Sequence, residues 1–137
     1  MITIYTDSST QEQQACIAFL ILDFSTGKYI GSGTKLYNNS KNSLCEMYAI
    51  KDALNWIKDN YDASTKDVTA FTDFLFTQNL WNKHTQGQTI HLPIFKEIIT
   101  LSKAVKSFQI RYVTSHVNGF SPNKACDILA RGYRTSL

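Results

Sequence analysis

Proline, cysteine and long apolar runs are all scarce in this chain of 137 residues, and each scarcity excludes something. Two prolines against 43% apolar residues leave no room for a collagen-like or disordered chain. Three cysteines (Cys16, Cys45 and Cys126) are an odd number without CxxC spacing, so neither a disulfide framework nor a zinc site is expected. That usage fits a reducing, cytoplasmic compartment. No stretch approaches the roughly 20 apolar residues of a membrane span, so no membrane partner is expected. The opening MITIYTDSST has no basic flank and reaches an aspartate at position 7, which does not read as a secretion signal. The length fits one domain over residues 1–137, expected as a monomer.

Acidic residues are scarce in the second half. Residues 1–79 hold 6 lysines and 9 acidic residues, a net −3, whereas residues 80–137 hold 8 Lys or Arg and 2 acidic residues, a net +6. Such asymmetry suits nucleic acid beside a metal-loaded acidic site, and equally an ordinary uneven surface.

MITIYTD reads as a strand that ends at its aspartate, and QQACIAFLILDF as a second strand. The turn STGK leads into a third, YIGSGTKLY, completing a meander. Residues 43–61 form a helix, because Met47, Ile50, Leu54, Ile57 and Tyr61 recur at spacings of three and four. Asn42 or Ser43 can cap it. DVTAFTD is a fourth strand and FLFTQNLWNKH a short helix. Pro93 suits the first turn of a helix running to residue 101 or 104. SFQIRYVTSH is a last strand, and Ser121-Pro122 opens a C-terminal helix to about residue 134. The order βββαβααβα predicts an α/β domain, a mixed five-stranded sheet with helices on both faces.

Two strands close alike, on Tyr5-Thr6-Asp7 and Phe71-Thr72-Asp73. Paired in parallel, they set two carboxylates side by side at strand ends, where α/β sites gather; each aspartate alone could simply be a turn former. Glu46 projects with Ile50, Ala53 and Ile57, inside the apolar arc of its helix. There an ionised carboxylate is costly unless a cation or donors meet it, or unless the position reaches water at a rim. Asp127 lies within the last helix, where aspartate gains little, although a lone surface residue there is unremarkable in chemistry. Several carboxylates on one edge repel unless a cation holds them, and hard oxygen ligands suit Mg²⁺. Two such ions can activate water and stabilise a leaving oxygen in phosphodiester hydrolysis.

These pieces resemble ribonuclease H of type 1 over nearly the whole chain. The matching segments are YTDSS at 5–9, NSLCEMYAIKDAL at 42–54, FTDF at 71–74 and HVNGFSPNKACDILAR at 116–131. The resemblance implies a ribonuclease H-like fold and endonucleolytic cutting of RNA paired to DNA, leaving a 5′-phosphate and a 3′-hydroxyl. It implies Asp7, Glu46, Asp73 and Asp127 as ligands of two Mg²⁺ ions, with Mn²⁺ as substitute. His116 is implied in water activation or product release; alone it is a solvated loop histidine. Ser8, Asn42, Ser43 and Asn123 are the implied substrate contacts, in keeping with a hybrid minor groove that displays 2′-hydroxyls.

The chain also departs from that pattern. Ser8 replaces a glycine, Phe74 a common serine, Ser43 a more usual amide, and Lys124 a frequent acid. Many members carry a basic helical protrusion, yet residues 81–92 carry only Lys83 as a fixed positive charge. Weak hybrid binding with a shallow salt dependence is therefore expected, and a polymerase or replication factor is a candidate docking partner that compensates. Trp56 and Trp81 are expected in packing, and His84 and His91 on the surface. Competing readings are a nuclease of the same fold on another nucleic acid, as in resolvases and integrases, and a non-catalytic nucleic-acid-binding module.

Overall fold

Alternation and turn chemistry build the sheet. The computed structural model describes residues 1–11, 14–38 and 42–113. Strands β1 (Ile2–Gln11), β2 (Gln14–Asp23) and β3 (Lys28–Asn38) pair antiparallel in sequence. Helix α1 (Asn42–Asn60) then crosses to β4 (Asp67–Thr72), which pairs parallel with β1. Helices α2 (Leu75–Thr85) and α3 (Pro93–Ser102) lead to β5 (Ser107–Tyr112), parallel to β4. The sheet order is β3-β2-β1-β4-β5, so pairing changes from antiparallel to parallel at β1.

One strand boundary differs from expectation. β1 does not stop at Asp7 but runs four residues further, because β2 continues the ladder through Asp7↔Ala18 to Gln11↔Gln14. Aspartate is disfavoured in strands, yet a long antiparallel partner overrides that preference. At the other end of β2, Gly27 takes φ 70 in the expected turn. The hydroxyl and N–H of Ser25 both donate to Asp23 there.

The core lies on one sheet face. Ile2, Ile4, Ile21, Val68, Ala70 and Ile110 meet Met47, Ile50, Ala53 and Ile57 of α1, Leu80 and Trp81 of α2, and Ile94, Phe95 and Ile98 of α3. Ile50 is fully buried, so truncation to alanine costs about 2–5 kcal/mol. The small residues of β3 let aromatic rings close on the sheet: a Cβ added at Gly31 would lie 2.6 Å from the Trp56 ring. Trp81 packs edge-on to Phe108, as expected of a packing residue. His91 is exposed, and His84 is half-buried against the Trp81 ring.

The opposite face carries a second cluster of Cys16, Ala18 and Leu20 with Tyr5 and Leu36. The three described helices all serve the first face, and the helix expected after Ser121 lies outside the described residues. Residues 86–92 join α2 to α3 through a turn at Gly87, φ 86, with no further helix between them. Among the described residues no helix is long and apolar enough to cross a membrane.

Candidate metal centre

Strand register positions the first two acids. Tyr5 pairs with Phe71 in the parallel β1–β4 ladder, their rings stacked 5.5 Å apart. Asp7 and Asp73 each follow two residues later, at equivalent places on neighbouring strands. Glu46 comes from the second turn of α1, whose apolar face holds it against the sheet. One ligand oxygen from each of Asp7, Glu46 and Asp73 lies within 4.8 Å of the others.

Glu46 is not a rim residue: it is only 3% exposed. The Thr72 hydroxyl donates to its Oε1 at 3.3 Å, and the same Thr72 oxygen accepts the Phe74 N–H at 3.1 Å. Its Oε2 is buried and receives no hydrogen bond among the described residues. Burial first, then the neighbouring Asp73 and Asp7 carboxylates, push the Glu46 carboxyl well above its ordinary range, while the Ser8 side chain acts in the opposite direction. Asp7 is oriented by the Ser8 N–H, which donates to its Oδ1 at 2.8 Å. Among the described residues no lysine or arginine forms an ion pair with Glu46 or Asp73.

A buried, unpartnered carboxylate oxygen facing two more carboxylates is unfavourable for a bare protein and well suited to a hard divalent cation. The donor set therefore fits such an ion, with Asp7, Glu46 and Asp73 as the residues that would hold it.

The structure brings Asp7, Glu46 and Asp73 together and adds Thr72, which the sequence pattern does not single out. The available signal is the repeated Thr-Asp of residues 6–7 and 72–73. Both threonines are fully buried, and Thr6 spends its hydroxyl on the Phe71 carbonyl at 3.2 Å. Ser8 sits beside the cluster, half-buried. Asn42 and Ser43 occupy the first turn of α1, but their side chains lie outside the described residues, so capping and substrate contact are not placed. His116, Asn123 and Asp127 also lie outside the described residues.

An acidic centre at the point where an α/β sheet switches from antiparallel to parallel pairing defines a protein with a metal-ready carboxylate site. The chain belongs to the RNase H family, whose profile matches residues 1–134. Solved structures share the fold. RNase H1 from the halophilic archaeon Halobacterium salinarum NRC-1 superposes with a TM-score of 0.75 at 15% identity, over 99% of this chain and 98% of that one. The N-terminal RNase H domain of a Mycobacterium tuberculosis protein, solved as a fusion with maltose binding protein, gives 0.73 at 10% identity, over 98% and 94%. LC11-RNase H1, solved in complex with an RNA/DNA hybrid, gives 0.73 at 16% identity, over 96% and 95%. At these identities the likeness is one of fold. No curated protein matches the sequence.

Proposed function

We propose that this chain is a metal-dependent endoribonuclease that hydrolyses the RNA strand of RNA–DNA hybrids. The observation that carries this reading is the buried Glu46 carboxylate, with one unpartnered oxygen, between Asp7 and Asp73. The hybrid held by LC11-RNase H1 supports the substrate class. Asp7, Glu46, Asp73 and Asp127 are the residues that would hold two Mg²⁺ ions, or Mn²⁺ in their place. When bound, such ions supply an activated water and stabilisation of the leaving 3′ oxygen, giving a 5′-phosphate product.

The chain's own groups do the positioning. Ser8 fixes the orientation of the Asp7 carboxylate through its N–H, and Thr72 fixes Glu46 through Oε1. That leaves Oε2 to face a cation. His116 is the group for managing a proton or releasing product. Ser8, Asn42, Ser43 and Asn123 are the contacts for the minor groove, where 2′-hydroxyls distinguish RNA from DNA.

Labelled RNA–DNA hybrid, RNA duplex and DNA duplex, each incubated with Mg²⁺ or Mn²⁺, test the reading. The expected result is cleavage of the RNA strand of the hybrid, an untouched DNA duplex, and no cleavage by Asp73→Asn. Comparable cutting of DNA duplex would replace it with a resolvase- or integrase-like activity. Hybrid binding without cutting under either metal would make the chain a binding module.

A further inference from the structure

The hydrolase reading leaves unexplained a groove of about 550 Å³ between α2 and β5, the edge strand among the described residues. All six residues of β5 line it, and α2 contributes Gln78, Trp81, Asn82 and Thr85 at positions i, i+3, i+4 and i+7. Successive strand side chains point to opposite faces and Ile110 is turned into the core, so a groove that touches all six residues runs along the strand's edge. It spans about 20 Å at roughly 3.3 Å per residue.

The groove starts beside the carboxylates. Tyr112 pairs with Thr72, the residue before Asp73, and its N–H donates to Gln78 Oε1 at 2.6 Å. Its chemistry is equally specific. Among the described lining residues Arg111 is the one charged side chain, and none of them is acidic. Gln109 Oε1 accepts from Arg111 Nε at 3.2 Å, which aims the guanidinium and leaves its terminal nitrogens for a phosphate. The amides of Asn82 and Gln109 offer donors and acceptors to base edges, and the Tyr112 ring, 39% exposed, offers a stacking face. A peptide strand is the poorer fit, because Gln78 already occupies the edge amide at the end nearest the site.

We propose that this groove holds a single-stranded continuation of the nucleic acid whose duplex part lies at the carboxylate cluster, with Arg111 on its phosphates and Tyr112 against a base. The proposal rests on the hydrolase reading for where the duplex lies.

The test measures fluorescence anisotropy of the Asp73→Asn protein on a blunt hybrid and on hybrids with a short single-stranded tail on either strand at either end. At least one tail should tighten binding by about tenfold, the scale of one stacked base with a phosphate contact. Arg111→Ala and Tyr112→Ala, both at exposed positions, should each remove most of that gain while leaving blunt-hybrid affinity and melting temperature unchanged. A tail that adds nothing, or a gain that survives both substitutions, overturns the proposal. Failure of the hydrolase reading is distinct, since it shows as an uncut blunt hybrid with the unsubstituted protein.

Discussion

Carboxylates at the two ends of this molecule live in opposite electrostatic states. Away from the carboxylate cluster, Asp23 and Asp62 each sit two residues before a serine. Ser25 donates its N–H and hydroxyl to Asp23 at 3.0 and 2.7 Å, and Ser64 does the same for Asp62 at 3.1 and 2.8 Å. The serine hydroxyls, followed by the backbone bonds, hold both carboxyls below their ordinary range. At the other end Glu46 is buried beside Asp7 and Asp73 and is driven the other way. An acid that caps a turn is complete within its own tripeptide. An acid gathered from a distant helix is complete only when something positive arrives, and that incompleteness marks function.

The largest effect that would break this contrast is chemical. Asp73→Asn should abolish Mg²⁺-dependent cleavage of hybrid while preserving the far-UV circular dichroism spectrum; normal turnover would remove Asp73 from the site. Thr72→Val should come next. It strips Glu46 Oε1 and the Phe74 N–H of their shared partner, costing about 1–3 kcal/mol in stability by denaturant titration. Turnover should fall by about tenfold, on the scale of about 1.4 kcal/mol of lost positioning in the transition state. A valine variant with undiminished turnover would show that Glu46 needs no such tether.

Glu46→Gln sharpens the contrast through pH. The folded value for Glu46 is raised, so the folded state holds its proton where the unfolded chain has lost it. Metal-free stability therefore falls as pH rises from 4.5 through the raised folded value, and the penalty is complete above it. The glutamine variant escapes this, so it should melt higher at neutral pH by about 4 °C, the shift that about 1 kcal/mol gives a domain of this size. The gap should close towards pH 4.5, and Mg²⁺ should stabilise the unsubstituted protein more than the variant. A gap that stays constant across pH would mean that charge is not its origin.

Asp62→Asn should give the smallest change. Its folded value is lowered, so its charge contributes stability above 3.8 that disappears as pH falls through the folded value. Because the group is fully exposed, the melting temperature should drop by only about 1 °C at neutral pH, and not at all in strong acid. Hybrid cleavage should be unaffected.

Much of this was legible from residue order. Apolar spacing located α1 and put Glu46 on its inner face, and the Thr-Asp repeat placed two acids on neighbouring parallel strands. What the order could not show was three-dimensional completion. The run of β1 past Asp7 depends on β2 lying alongside, and the role of Thr72 depends on Glu46 arriving from a helix 26 positions earlier. The α2–β5 groove was equally hidden, since Gln78 and Tyr112 meet across 34 positions. Asp127 and His116, read from the HVNGFSPNKACDILAR segment, lie outside the described residues and stand as proposals.

The tight turn between β2 and β3 has a practical use. Ile2 pairs with Asp23 at the start of β1, and the Phe24 N–H donates to the Met1 carbonyl at 2.9 Å, so Thr26 and Gly27 project from the end of the sheet opposite Asp7. Five strand residues, about 17 Å, separate that end from the carboxylates. Thr26 and Gly27 are exposed and belong to no ladder, so a fluorophore or an inserted binding module can be carried there at a set distance from the carboxylates. The sheet then becomes a ruler, and energy transfer from that turn to a labelled strand end of an added hybrid would test the proposed binding and report which way round the hybrid lies.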